Sequence, residues 1–187
     1  LAASLAYLLL MQQDAVGLTL FDTEVRGELP PTASPARLQG FCRALEENEP
    51  RRQTNLGSLL HSIAERLARR GLVILISDLM APLEGIVSAL QRLRFDGHSV
   101  ILVHLIDPAE REFPFDGNVR FEGMEAGGYL LTNARQVRAA YLESFHGFQQ
   151  ALEAACLGRQ MDYLPAATDE RLDTALARFL TSQAGGY

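Results

Sequence analysis

Leu72-Val-Ile-Leu-Ile-Ser77 and Ser99-Val-Ile-Leu-Val-His-Leu-Ile106 decide the fold. Both are nearly unbroken apolar runs without polar alternation, the pattern of strands covered on both faces of a parallel sheet. Between them, from about Pro82, Leu83, Ile86, Val87, Leu90 and Leu93 recur at helical spacing. Strand, helix, strand in that order is a parallel βαβ unit, whose helix must cross one face of the sheet.

Toward the amino end, Gly71 stops a helix with Leu56, Leu59, Leu60, Ile63 and Leu67 on one stripe. An earlier helix carries Leu38, Phe41, Cys42 and Leu45. Before these, Ala15-Val-Gly-Leu-Thr-Leu-Phe21 is another continuous apolar strand, and Asp22-Thr23 turns the chain. Glu24-Val-Arg-Gly-Glu-Leu29 then alternates charged with apolar residues ahead of Pro30-Pro31, as a guarded sheet edge does. Residues 1 to about 12 read as an apolar helix. Toward the carboxyl end, 107–133 is a Pro- and Gly-containing insertion. Val119–Glu122 and Tyr129–Thr132 flank Gly127-Gly128 there and predict a small β-hairpin. A long helix follows over Ala134–Leu157, with Val137, Tyr141, Phe145, Phe148, Leu152 and Ala155 at helical spacing. A short strand at Asp162–Pro165, a helix over Glu170–Leu180 and a frayed Gly185-Gly186 end complete the chain. The expectation is one α/β domain over 1–187, doubly wound, with a mostly parallel sheet, one antiparallel edge strand and an inserted hairpin.

At 187 residues and 48% apolar, the chain has ample material for one core and should bury roughly 70% of its unfolded surface. Its net charge of -6 opposes general nucleic-acid binding, which needs clustered positive charge to displace phosphate counterions. All 17 cationic side chains are Arg. The absence of Lys excludes a P-loop lysine, a Schiff base and the lysine of a phospho-acceptor receiver domain. Cys42 and Cys156 have no metal spacing and read as small buried hydrophobes. Leu1–Met11, the longest apolar stretch, is shorter than the about 20 residues that span a bilayer. It also lacks a basic n-region and a cleavage site. A soluble, cytoplasmic protein in a reducing compartment is expected. The opening Leu-Ala-Ala-Ser-Leu-Ala-Tyr has the character of a helix interior and reads as a fragment's start.

Open parallel sheets place ligands beyond the carboxyl ends of their strands. Counting strand and helix directions puts the loop Glu49-Pro-Arg-Arg-Gln-Thr-Asn55, the tip Ser77-Asp78-Leu79 and Asp107 on that edge. Thr54 and Asp78 are therefore candidate oxygen ligands for a hard cation such as Mg²⁺. Alone, Thr54 could equally cap the next helix, and Asp78 could be a solvated loop acid. No G-x-S-x-G, G-x-G-x-x-G or P-loop sequence occurs. His61, His98, His104 and His146 have no metal spacing, and His104, inside an apolar strand, reads as a satisfied core histidine. No catalytic residue can be named.

Gln13-Asp14-Ala-Val-Gly-Leu, Gln53-Thr54-Asn55-Leu56, Leu75-Ile-Ser-Asp78-Leu79, Asp107-Pro-Ala-Glu110 and Phe113-Pro-Phe-Asp116 together resemble the bacterial "domain of unknown function 58" family. That family is a branch of the von Willebrand factor A-like domains. The resemblance implies a doubly wound sheet with a metal ion-dependent adhesion site, built from an Asp-x-Ser-x-Ser motif after the first strand, a Thr and a second Asp. Thr54 matches that Thr and Asp78 that Asp. The Asp-x-Ser-x-Ser motif and its strand are missing, and Arg-Arg-Gln stands before Thr54 where relatives commonly carry Gly. The resemblance thus implies a partial metal site with weak or no Mg²⁺ binding. It further implies an interaction module encoded beside MoxR-type AAA+ ATPases, in a full-length protein whose membrane anchor, if any, lies outside this chain. The basic A-type fold needs neither the hairpin nor the 134–157 helix, which are therefore read as docking elements.

Two function classes are carried forward. One is a metal-assisted protein-binding module; the alternative is an uncharacterised metal-dependent α/β hydrolase using Asp78 and Asp107 as acid and base. With no nucleophile–base pair visible, the module is favoured. A testable consequence concerns the runs 15–21 and 72–77, which expect a neighbour on both sides. An unpaired edge of that kind recruits strands from other chains. The isolated chain is expected to self-associate in light scattering, and a strict monomer as stable as a chain extended upstream would contradict this.

Overall fold

Ser77 stands beside His104, and Leu72 beside Ser99, in a parallel ladder that runs in register along the whole of strand β3 (Leu72–Ser77) and as far as His104 in strand β4 (Ser99–Ile106). The computed structural model describes residues 1–22, 24–48, 56–67, 69–123 and 128–184. It divides into two compact units, Leu1–Asn55 and Leu56–Tyr187.

In the first unit, helix α1 (Ala2–Met11), strands β1 (Val16–Phe21) and β2 (Val25–Thr32), a 3₁₀ turn (Pro35–Arg37) and helix α2 (Leu38–Glu47) follow in order. β1 and β2 pair antiparallel, and the ladder slips twice, between Val16 and Leu18 and between Leu20 and Phe21. The first slip accommodates Pro30-Pro31, which lie inside β2 although the sequence pattern ended that strand at Leu29. Prolines cannot donate to a ladder, so an irregular edge tolerates them. Ala6, Leu10 and Phe41 form the unit's core, with Val16, Leu18, Leu29 and Leu38 packed against it. β1 is thus apolar along its length but packs through Val16 and Leu18, and it is only half-buried. Asp22 is buried at the turn. It accepts from the Glu24 amide and from Arg26 Nε at 2.7 Å, which satisfies a carboxylate that would otherwise be costly to desolvate.

The second unit contains helix α3 (Leu56–Arg66), β3, helix α4 (Leu83–Phe95), β4, helix α5 (Pro108–Glu112), strands β5 (Asn118–Glu122) and β6 (Tyr129–Asn133), helix α6 (Ala134–Leu157), strand β7 (Asp162–Ala167) and helix α7 (Leu172–Ala184). The α/β class, the parallel sheet, the antiparallel strand and the inserted hairpin are all found. The strands form separate sheets: β1–β2, the parallel β3–β4–β7, and the hairpin β5–β6. β4 is central and almost fully buried, with Val100, Ile101, Leu102 and Val103 inside. β3, with one neighbour among the described residues, is mostly half-buried. Ile86, Ala89, Leu90 and Leu93 cover the sheet from α4, and Leu152 and Cys156 from α6. Burial also pushes the Cys156 thiol up to about 11, so it stays protonated and inert. α4 ends at Gly97, where φ is +89°. The His98 and Gly97 amides donate to the Leu93 and Arg94 carbonyls, a paired terminal bond that needs a residue free of Cβ strain.

α3 and α4 approach through two glycines. A Cβ on Gly57 would fall 2.9 Å from the Gly85 Cα and 3.1 Å from its carbonyl. Backbone cannot yield as a side chain does. Gly57→Ala is therefore expected to destabilise by about 1–3 kcal/mol through overpacking. Gly147→Ala, in α6 where a Cβ meets nothing within 4 Å, should stabilise by about 0.5–1 kcal/mol. Urea melts of both variants test the contact, and the same sign of change in both would remove it.

Candidate binding site at the carboxyl ends of the parallel strands

Beyond Ser77 the chain folds into a tight loop. The Leu79 amide donates to Ser77 Oγ at 3.1 Å, the Met80 amide to Asp78 Oδ1 at 3.3 Å, and the Ala81 amide to the Leu79 carbonyl at 2.7 Å. Leu79 has a φ of +57°, which a γ-branched residue rarely adopts. Its side chain is buried, so packing holds the bend. Asp78 is thereby left exposed at the crest while Leu79 points inward.

Beside this loop lies His104, on β4 and 2% exposed. Its Nδ1 lies 2.8 Å from the Tyr163 hydroxyl. Burial pushes the His104 pKa down, opposed by a hydrogen bond to the Asp78 backbone and by the Asp78 charge. Burial pushes the Tyr163 phenol up to about 12. The phenol therefore keeps its proton, and burial favours the neutral form of the imidazole beside it. As read from the sequence, His104 is a buried histidine with its partners in place, and it ties β7 to the β3 loop.

Helix α5 begins at Asp107, whose Oδ1 caps it by accepting from the Ala109 amide at 2.8 Å, while Oδ2 lies 3.4 Å from Thr168 Oγ1. Phe113 ends the helix at φ +45°. The Phe113 ring packs 5.2 Å from Phe115, 5.8 Å from Phe121 and 4.7 Å from Tyr141. Those contacts anchor the hairpin and α6 to α5. They also leave one face of α6 over the loop. Asp78, Met80, His104, Glu110, Tyr141 and Phe148, with Leu79, Ala81, Ser144 and Phe145, line a pocket of about 310 Å³. Burial raises the Glu110 pKa, and the charges of Asp107 and Asp78 add to this against a hydrogen bond to the Asp107 backbone. The pocket thus has aromatic walls, a neutral imidazole floor and two carboxylates.

Of the sequence-predicted ligands, Asp78 is at this pocket, whereas Thr54 and its loop lie outside the described residues. Asp107 is occupied as a helix cap, although it shares the edge. No group of three or more His, Cys, Asp or Glu side chains that could hold a metal ion occurs among the described residues. Of the two predicted ligands Asp78 alone is described, and its Oδ1 accepts from the Met80 amide. Glu110 escaped the sequence reading because α5 has five residues, too few for a periodic signal. Tyr141, Phe145 and Phe148 were visible at helical spacing. They are half-buried, make ring contacts and wall the pocket.

Two solved structures are similar in fold. BatB, a conserved hypothetical protein from Bacteroides thetaiotaomicron, is 17% identical with a TM-score of 0.59, over 98% of this chain and 87% of that one. An aerotolerance-related membrane protein from Bacteroides fragilis NCTC 9343, carrying multiple mutations to serines, is 17% identical with a TM-score of 0.53, over 97% and 86%. No curated protein matches the sequence. Among the described residues no helix is long and apolar enough to cross a membrane. The model of the family "Protein of unknown function DUF58" matches residues 1–150, and the chain belongs to that family.

Proposed function

We propose that this chain is a protein-interaction module of the von Willebrand factor A type, one domain over 1–187 that works with a MoxR-type AAA+ ATPase. The observation that carries this reading is the hairpin. Tyr129 and Leu131 share the outer face of the hairpin, Leu130 stands on the other face opposite Phe121, and each is more than 60% exposed. Soluble surfaces seldom present contiguous large apolar residues unless a partner covers them. On the outer face Leu131 stands opposite Arg120, whose guanidinium lies 4.6 Å from the Tyr129 ring centre and 2.8 Å from Glu122. An aromatic residue and an Arg side by side are the residue types that dominate binding hot spots. Thr54 and Asp78 are proposed as the remnant of a metal ion-dependent adhesion site, with Mg²⁺ as the ion. Copies of the chain can also associate through open strand edges, as the sequence pattern suggests. The hydrolase reading is not pursued, since Asp107 spends its oxygens on a cap and on Thr168.

Phe121 belongs to the Phe113 and Phe115 cluster, so a substitution on the outer face, not a deletion of 118–132, separates docking from folding. Leu131→Glu should leave the melting free energy within about 0.5 kcal/mol while abolishing capture of a purified MoxR-type ATPase. Retained capture would sink the assignment. For the ion, calorimetric titration should give weak or undetectable Mg²⁺ binding, because Mg²⁺ surrenders its waters reluctantly to so few ligands. Tight stoichiometric binding that survives Asp78→Ala would overturn Asp78 as its ligand.

A further inference from the structure

We infer that the pocket beside His104 receives a basic side chain, Arg or Lys, from a protein partner. The chemistry of its wall points there. The carboxylates of Asp78 and Glu110 face one cavity together with Tyr141, Phe145 and Phe148. Aromatic faces carry negative quadrupole charge and attract a guanidinium or ammonium, most strongly when water is excluded. Two like charges in one partly buried cavity repel each other, and a cation between them relieves both. Among the described residues neither carboxylate forms an ion pair. Arg111, next to Glu110 in sequence, is taken by Glu112 at 2.7 Å and lies 3.7 Å from Asp169.

Size and shape narrow the occupant. A volume of about 310 Å³ is at the lower limit for drug-sized ligand pockets and suits one long side chain. Met80 is 71% exposed at the pocket, where a flexible thioether can settle against the aliphatic stem of an entering Arg or Lys. The Ser144 hydroxyl is a further acceptor on the lining. That the side chain belongs to a protein rests on the interaction-module reading; the preference for a cation rests on the pocket alone.

The test uses the whole chain and three probes: acetyl-Gly-Arg-Gly-amide, the same peptide with citrulline, and free agmatine. Citrulline keeps the shape of Arg and removes its charge. Titrations followed by the resonances of His104 and Phe148 should show the Arg peptide binding about tenfold tighter than the citrulline peptide. Glu110→Gln, which keeps the shape of Glu110, should erase that preference at an unchanged melting temperature, and Asp78→Asn should weaken it. Equal binding of the two peptides, or a preference unaffected by both substitutions, would overturn the pocket's chemistry. Agmatine binding as tightly as the Arg peptide would overturn the protein source in favour of a free organic cation. Peptide titration and ATPase capture, both on the unmodified chain, separate the two readings. Peptide preference retained while the unmodified chain fails to capture the ATPase defeats the ATPase assignment alone. ATPase capture without any peptide preference defeats the pocket alone.

Discussion

The second unit is organised around the hydrogen bonds of one neutral imidazole. His104 sits at the centre of the parallel sheet, at a position where a charged or unpartnered group would cost several kcal/mol. Tyr163 on β7 lies 2.8 Å from Nδ1, and a hydrogen bond to the Asp78 backbone engages the ring as well. Burial keeps the phenol protonated and favours the neutral imidazole. Buried networks of this kind contribute most when every member is satisfied. Here satisfaction fixes where the chain must turn after β3, and that turn sets Asp78 at the pocket's rim.

The same turn explains why Leu79 tolerates a left-handed backbone. A strained residue of this sort costs of order 1–3 kcal/mol and persists only where its surroundings over-determine it. Burial of the Leu79 side chain and the amide bonds to Ser77 and Asp78 do so from both sides. A second bulky residue with positive φ, Phe113, lies at the end of α5 and is held by aromatic neighbours. Leu79 lines the pocket and Phe113 holds its aromatic wall, while Gln13 and Gln160, also at positive φ, lie past the ends of α1 and α6.

Much of this architecture was legible in the sequence, and the reasons are local. Gly71, Pro82 and Gly97 punctuate β3, α4 and β4, so their limits could be read within a residue or two. Asn133 and Gly158 bracket α6 in the same way. The place of Asp78 beside the pocket was legible because a strand end is a topological address. Other features are not written in any local pattern. The pocket exists because α6 leans over the β3 loop, held by rings at positions 113, 121 and 141 that are far apart in sequence. Glu110 acquires its raised pKa only from that packing. The half-burial of β1 was hidden too, since an apolar run does not say how many of its faces its own unit covers.

Asn133 closes the hairpin and opens the long helix in a single residue. It pairs with Asn118 at the end of the β5–β6 ladder, and its side chain accepts from the Arg135 amide as the cap of α6. The Ala134 amide donates to the Gly117 carbonyl, and Arg135 pairs with Asp116 across the same junction. There is no hinge between hairpin and helix. The two form one lever, with apolar residues Tyr129 to Leu131 at one end and the aromatic wall of the pocket a few turns along the other. Displacing the hairpin from the helix would break these junction bonds, which lie at the start of the helix that walls the pocket.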